Sequence, residues 1–186
     1  MLAYIFWHWP RPGADARVYE SRLARFQDVL RNLPVTGFRD SAVYRVAGAP
    51  WFPAGIAGYE EVYLLDNSCA MDLLNDAAVS EPSRRAHDEA IEFCAAAAAG
   101  LYRLRHGLPS LTRMVRRYWL AKPRDTKYTE FDAAVLPTLS ASPSALWRRQ
   151  MVLGPTPEFC LQSAGALEVP ASMLVFQIET EVVWHR

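Results

Sequence analysis

Two residues of this chain, His8 and Glu61, have side chains well suited to acid–base chemistry. His8 lies near the end of an aromatic segment at the start of the chain, and Glu61 lies in a later segment rich in tyrosine and glutamate. A carboxylate beside an imidazole can hold its tautomer and raise its basicity for proton abstraction. With Tyr63 or Tyr4 to orient a substrate oxygen, we predict a catalytic group of His8, Glu61 and Tyr63. The alternative is structural, with Glu61 paired to an arginine and His8 partly solvated.

The remaining titratable side chains give weaker signals. The four histidines show no spacing typical of a metal site, and no nucleotide-binding motif is present, so we predict neither a metal nor a cofactor. A helical histidine can bind haem, but no accompanying motif is present, and we expect His87 to lie on a solvated helical face. The densest basic cluster is expected to be solvated or ion-paired; it comprises Arg103, Arg105, Arg113, Arg116 and Arg117.

Composition limits the class of partner. The chain has 186 residues, of which 51% are hydrophobic and 22% charged, enough for a sizeable core and unlike a disordered chain. Twenty basic and twenty acidic residues leave no net charge, which removes the electrostatic argument for nucleic acid or an anionic membrane. No segment approaches the ~20 apolar residues of a membrane span, and the first ten residues lack the basic leader of a signal peptide. Three widely spaced cysteines indicate a reducing compartment, so we expect a cytoplasmic protein.

The elements that must position these side chains follow one order in the first part of the chain. Tyr19, Leu23, Phe26 and Leu30 recur at helical spacing and predict a strong amphipathic helix. An alanine run at 95–99 favours a second long helix. The predicted order is a strand, a helix, two strands and two helices, at 2–9, 15–33, 41–46, 59–65, 67–74 and 80–106.

The second part of the chain repeats much of this order. We predict a strand, a helix, a hairpin and a closing strand, at 111–120, 128–139, 147–153 with 158–163, and 172–184. Trp7 with Pro10 is echoed by Trp119 with Pro123, which also favours a repeat. We therefore predict an α+β protein of two ferredoxin-like (βαββαβ) halves, residues 1–110 and 111–186. Whether strand 111–120 closes the first half or opens the second is open, and the second half lacks the long second helix.

The first half resembles the dimeric α/β-barrel superfamily. The matching features are the strand and acidic turn at 59–67, the short helix at 70–74, the Ser-Glu-Pro break at 80–82 and the helical residues 85–88. This superfamily includes EthD-like proteins, antibiotic-biosynthesis monooxygenases, muconolactone isomerases and stress-responsive barrel proteins. The resemblance implies two antiparallel sheets that enclose a cavity, with helices outside. It also implies that a tandem duplication lets one chain do what its relatives do as dimers, while a homodimer of this chain stays open.

Alternation along each strand divides its side chains between two faces. We expect Val62 and Leu64 to pack against helices, and the opposite face to line the enclosed cavity. Aromatic walls with a few polar groups suit a small hydrophobic or aromatic ligand. The residues predicted to bind this ligand are Tyr4, Phe6, Tyr59, Trp51, Trp147 and Arg149. Trp51 lies on a long glycine- and proline-rich loop, which is expected to form a lid or a subunit contact or to fold back onto the barrel rim.

Three functions follow from these expectations. The first is a cofactor-independent monooxygenase, isomerase or cyclase acting on a hydrophobic or aromatic substrate. The second is a ligand-binding or stress-related accessory protein without catalysis, and the third is a protein-interaction module. An enclosed pocket lined by His8 and Glu61 favours the first function, whereas a barrel filled with side chains and bearing an exposed apolar patch favours the third.

Overall fold

The computed structural model describes residues 1–152 and 156–185. Within them the strands are β1 Leu2–Pro10, β2 Phe38–Val46, β3 Gly58–Leu65, β4 Cys94–Gly107, β5 Arg116–Leu120, β6 Ser144–Val152, β7 Phe159–Ser163 and β8 Leu174–Trp184. The helices are α1 Ala16–Arg31, α2 Ser68–Val79, α3 Arg84–Ile91 and α4 Tyr128–Val135, with a 3-10 helix at Leu136–Ala141. None of the helices in these two ranges is long and apolar enough to cross a membrane.

The strands form one closed antiparallel barrel in the order β1-β3-β2-β8-β5-β7-β6-β4. The first four strands along the chain lie in the order β4-β1-β3-β2, and the last four repeat it as β8-β5-β7-β6. Pairing of β2 with β8 and of β4 with β6 joins the two sheets. The predicted α+β fold of two ferredoxin-like sheets with helices outside is confirmed. Strand β5 pairs with β7 on one side and with β8 on the other, and both belong to the last part of the chain. The boundary between residues 1–110 and 111–186 stays a prediction.

Helix α1 forms as its sequence predicts. The carboxylate of Asp15 accepts hydrogen bonds from the amides of Arg17 and Val18 and so caps the first turn. The buried side chains of α1, among them Tyr19 and Leu23, lie along one stripe and pack against the first sheet. This helix therefore holds a fixed set of side chains over β1 and β3.

The predicted helix at 80–106 is wrong beyond residue 91. Helix α3 ends at Ile91, and Cys94–Gly107 is a strand that contains the alanine run as well as His106. Its first part pairs with β1, and Gly100–Gly107 also pairs with β6. Alanine favours a helix by less than 1 kcal/mol per residue over most residues, and the pairing that closes the barrel outweighs this preference.

The second sheet is covered differently from the first. Helix α4 is followed by the 3-10 helix, which contains Pro137. Instead of a second helix, an irregular segment crosses the sheet, where Leu167 and Met173 pack with α4 and the amide of Leu167 donates to the Tyr118 hydroxyl. The predicted hairpin is present as β6 and β7, while its turn at residues 153–155 lies outside the described ranges.

The interior of the barrel is filled with large side chains. One buried cluster draws residues from all eight strands, including Trp7, Trp119 and Trp147, which are fully buried. The charged pair in this interior is Glu60 with Arg117, whose Nε lies 2.9 Å from Oε1 of Glu60. The indole of Trp7 donates to the other carboxylate oxygen of Glu60 at 2.9 Å. This packing leaves the other face of the sheet as the place for a binding site.

Candidate functional site

The candidate site is a cavity between the outer face of the first sheet and the helices α1, α2 and α3. Its volume is about 130 Å³, and it opens to solvent. The expectation of a ligand cavity inside the barrel is therefore wrong, because aromatic side chains pack that space. The cavity is lined by Tyr4, Phe6, His8, Tyr19, Leu23, Phe26, Leu30, Glu61, Tyr63, Leu74, Asn75, Ala78, His87, Ala90, Ile91 and Cys94.

The two faces of β3 are exchanged relative to the prediction. Val62 and Leu64 point into the barrel and belong to its core, whereas Glu61 and Tyr63 lie under the helices. Alternation along a strand tells which residues share a face but not which face is inside. The residues of this strand predicted to share a face do share one. The prediction of which face lines the barrel interior and which packs against the helices is wrong.

His8 and Glu61 meet across two neighbouring strands. In the antiparallel pairing of β1 with β3, His8 lies opposite Tyr59, so Glu61 is its diagonal neighbour on the same face. The Nε2 atom of His8 lies 3.0 Å from Oε1 of Glu61, an ion-pair distance, although the ring N–H is not aligned for a straight hydrogen bond. Both side chains are almost fully buried. The contact expected from the strand order is present, whereas its catalytic role stays a prediction.

Tyr19 of α1 completes a three-residue chain. Its hydroxyl oxygen lies 2.6 Å from Nδ1 of His8, and the two rings meet edge to face. With Nε2 of His8 facing a carboxylate, the network assigns the proton to Nε2 and leaves Nδ1 to accept the hydroxyl proton of Tyr19. In the order Tyr19–His8–Glu61, the hydroxyl group can give its proton to the imidazole, and the carboxylate holds the imidazole in position. This is an arrangement by which an active site activates a nucleophile or a base.

Glu61 is held in place from its other side. Its Oε2 atom accepts hydrogen bonds from the Gln27 amide and the Tyr63 hydroxyl. The Gln27 amide also reaches the Tyr63 oxygen at 2.7 Å, and its own carbonyl accepts from Ser41 at 2.8 Å. A buried network with satisfied members fixes one arrangement of its side chains. The carboxylate orientation toward His8 is thus set by α1, β2 and β3 together.

These contacts determine which groups carry charge. Burial alone would raise the pKa of Glu61, but its close polar contact with His8 and the hydrogen bonds from Tyr63 and Gln27 outweigh burial and lower this pKa. Burial, followed by Cys94 and Glu61, raises the pKa of Tyr19. Burial and then Glu61 raise the pKa of Tyr63 well above its usual value. Near neutral pH the Glu61 carboxylate is therefore ionised, and the phenols of Tyr19 and Tyr63 keep their protons.

The walls and mouth of the cavity are mostly apolar. Phe26 and Leu74 face each other from α1 and α2, and the exposed side chains of Asn75 and Ile91 lie at the opening. His87 was expected to face solvent, but it is only partly exposed, lines the cavity and contacts the Phe26 ring edge to face. A site of this composition suits a hydrophobic molecule with one or two polar atoms.

Four predicted ligand-binding residues lie outside the cavity lining. Tyr59 stacks on the His8 ring and donates to Glu20 at 3.0 Å. Trp147 lies in the barrel interior, and Arg149 donates to the Thr156 carbonyl at 2.9 Å. Trp51 packs on Trp7, Trp119 and Phe176 with ring centroids 5.1–5.3 Å apart, so its loop folds back over one end of the barrel.

The prediction missed Tyr19, Gln27 and Cys94. Tyr19 belongs to the apolar stripe of α1, and Gln27 stood among the polar residues of the same helix, so neither pattern indicated a site. Cys94 was placed in the part of the predicted helix at 80–106 that is strand β4 in the structure. In the two described ranges no group of three His, Cys, Asp or Glu side chains is arranged to hold a metal ion.

Comparison with known proteins supports the fold rather than a specific activity. No family model matches the chain, and no curated protein matches it significantly in sequence. Among solved structures, a putative monooxygenase from Fusobacterium nucleatum subsp. nucleatum covers 99% of this chain and 93% of its own, with a TM-score of 0.63 and 8% identity. A second from Lactobacillus acidophilus covers 99% and 95%, with a TM-score of 0.58 and 10% identity. An anthrone oxidase-like protein covers 100% and 92%, with a TM-score of 0.55 and 9% identity. The chain thus shares a whole-length fold with these barrels, as its resemblance implied.

Proposed function

We propose that this protein is a cofactor-independent enzyme that removes a proton from a small hydrophobic or aromatic substrate, leading to oxygenation, isomerisation or cyclisation. The observation that carries the proposal is the buried Tyr19–His8–Glu61 chain at the floor of an apolar cavity. The monooxygenase names of similarly folded proteins agree with oxygenation, but a fold shared at such low identity does not transfer an activity.

The proton moves through Tyr19 in this proposal. A substrate O–H or activated C–H donates its proton to the Tyr19 oxygen while Tyr19 passes its own proton to Nδ1 of His8. The ionised Glu61 stabilises the resulting imidazolium, as a carboxylate does in a catalytic triad. Because the two transfers are concerted, no free tyrosinate has to form, which agrees with the raised pKa of Tyr19.

The substrate anion then determines the outcome. Return of the proton to a different atom gives an isomer, and attack of the anion on a carbonyl group of the same molecule gives a ring. Addition of molecular oxygen to the carbanion and return of the proton give a hydroperoxide, which loses water to leave a carbonyl group; oxygen is the oxidant and the substrate supplies the electrons. A substrate that fills the cavity displaces its water, and the apolar walls then shield the anion from immediate reprotonation.

The test compares variants of the chain with a matched control. Phenols and enolisable ketones that raise the melting temperature are incubated in D2O, and deuterium incorporation at carbon and oxygen consumption are measured. General acid–base catalysis contributes about 10²–10⁴-fold, so Tyr19→Phe and Glu61→Gln should lower turnover by at least about 100-fold while the ligand still binds. Tyr102→Phe removes another buried hydroxyl, bonded to Thr156 in the barrel, and should keep the activity.

Binding without catalysis is the second candidate. It is favoured by the burial of His8 and by the engagement of both its ring nitrogens with protein groups. Ligands would then bind in the cavity without any rate above background, or with rates that do not change in Tyr19→Phe, His8→Asn and Glu61→Gln. Either result would show that the network is structural and that the protein acts as a ligand carrier.

A further inference from the structure

We infer that the cavity selects an uncharged, single-ring ligand with a hydrogen-bond donor, and excludes carboxylates and fused-ring molecules. This inference rests on the proposed function and specifies its substrate class. It is carried by three features of the cavity, namely its charge, its size and the polar atom at its floor.

The charge of the cavity opposes an anion. Of the described residues that line it, Glu61 is the one acidic residue, and none is a lysine or arginine. Three arginines of α1 and α3 are instead committed to Glu89, which accepts from Arg22, from Arg25 at 2.8 Å and from Arg85 at 2.9 Å. A carboxylate ligand would therefore lie near a buried carboxylate with no lysine or arginine in the lining to pair with it, an arrangement that costs free energy.

The size of the cavity limits the ring system. A protein cavity of about 150 Å³ holds a benzene-sized molecule, and the volume here is about 130 Å³. The floor is fixed by the strands, and the opposite walls are α1 and the buried Leu74 of α2. A three-ring molecule would have to displace a helix that is packed on the sheet through buried side chains. One ring with small substituents fits without such a change.

The polar atom at the floor is an acceptor. The Tyr19 hydroxyl proton is directed to Nδ1 of His8, and the neighbouring Cys94 thiol donates to the Ala96 carbonyl at 3.4 Å. A lone pair of the Tyr19 oxygen is therefore available to a ligand donor. Both oxygens of Glu61 already face His8, Tyr63 and Gln27. A ligand hydroxyl or enol is thereby directed toward Tyr19, the group that the proton relay requires, and an ether of the same shape lacks the proton for this contact.

The experiment measures dissociation constants at pH 7 by calorimetry for matched pairs of ligands. Benzamide and benzoate have nearly the same shape and differ in charge, 4-methylphenol and 4-methylanisole differ in the donor, and 4-methylphenol and 9-phenanthrol differ in ring number. Alkylation of Cys94, which lines the cavity, reports whether a bound ligand occupies this site. Benzoate should bind at least tenfold more weakly than benzamide, 4-methylanisole at least fivefold more weakly than 4-methylphenol, and 9-phenanthrol should not protect Cys94.

Each outcome decides between specific claims. In Glu61→Gln the benzoate-to-benzamide ratio should move at least threefold toward one, while the same change at Glu179, an exposed residue of β8 outside the cavity lining, should leave the ratio as in the wild type. Equal or tighter binding of benzoate, or protection of Cys94 by 9-phenanthrol, would overturn this inference and leave the proposed function standing. If no member of the series protects Cys94, both the inference and the proposed function fail.

Discussion

The hydroxyl of Tyr19 and the Nδ1 atom of His8, 2.6 Å apart, join helix α1 to strand β1 at the floor of the cavity. Tyr19 is 1% exposed and His8 is 1% exposed, so the contact is shielded from water. In a site of low polarity such a hydrogen bond is stronger than in water, and leaving either partner alone is costly. In the proposed mechanism the helix supplies the group that contacts the ligand, and the sheet supplies the histidine and the carboxylate behind it.

The first prediction concerns the pH dependence of stability. Because the folded-state pKa of Glu61 lies below its ordinary value of 4.5, the unfolded chain binds the proton more readily. The contribution of Glu61 is thus fully present above the unfolded-state pKa and is lost as pH falls through the folded-state pKa. Urea unfolding at several pH values below 5 should show a shallower loss of stability in Glu61→Gln than in the wild type.

The control for this prediction is Glu89. The hydrogen bond from Arg85 lowers the pKa of Glu89 as well, but this pair lies on the surface, where solvent screens the interaction. Below pH 5 the unfolding free energy of Glu89→Gln should depend on pH more nearly as it does in the wild type than that of Glu61→Gln. If the wild type and Glu61→Gln lose unfolding free energy equally as the pH falls, the folded protein does not hold the Glu61 carboxylate in its ionised form.

The second prediction compares two ion pairs whose arginines are neighbours on strand β5. Arg117 and Glu60 are paired at 2.9 Å inside the barrel, and Arg116 and Glu179 are paired at 2.9 Å outside it, where Glu179 is 64% exposed. Removing one partner of a buried pair leaves a buried charge and costs about 3–5 kcal/mol, whereas an exposed pair contributes about 1 kcal/mol or less. Chemical denaturation should therefore show a much larger loss for Glu60→Gln than for Glu179→Gln. If both substitutions cause similarly small losses of unfolding free energy, Arg117 is in contact with water, contrary to the structure.

The third prediction concerns closure of the barrel at Gly107. This residue has a φ of +82° and pairs with Ala145 of β6, and an added Cβ would clash with the Ser144 carbonyl. Gly48 has a similar φ of +74° with open space around it. Gly48→Ala should cost about 1–2 kcal/mol for the backbone conformation, and Gly107→Ala should cost at least about 1 kcal/mol more because of the clash. Equal losses in unfolding free energy would contradict the close pairing of β4 with β6.

The fourth prediction uses the three cysteines as reporters. Cys69 is exposed, Cys94 is partly buried at the cavity, and Cys160 is buried in the barrel. Burial raises the pKa of Cys94 and of Cys160, so alkylation followed by mass spectrometry should show the order Cys69, Cys94, Cys160 from fastest to slowest. A cavity ligand should slow only Cys94, and protection of Cys69 to the same degree would indicate binding elsewhere.

The contact of His8 with Glu61 could be predicted because it depends on few choices. A ferredoxin-like order makes β1 and β3 neighbours, and strand alternation then determines which residues share a face. The same reasoning cannot tell the inside of a closed barrel from its outside, since both faces of β1 and β3 are buried. Val62 and Leu64 suit either environment, and the assignment of the cavity to the interior was wrong for this reason.

Two other features depend on contacts between distant parts of the chain. The alanines of β4 have a local preference for helix, and their strand conformation comes from pairing with β1. Tyr19 and Gln27 reach the site only because α1 lies directly over β1 and β3, an orientation set by packing rather than by local sequence. A helical stripe alone indicates which side of α1 is buried and does not indicate which hydroxyl meets an imidazole.

The most direct test of the site is a crystal structure of the protein with 4-bromophenol, in which anomalous scattering locates the bromine atom. We predict an anomalous peak between the first sheet and helix α2, with the phenol oxygen within hydrogen-bonding distance of the Tyr19 hydroxyl. A peak inside the barrel beside Trp7 and Trp119, or no peak at a concentration that saturates binding in solution, would contradict this account.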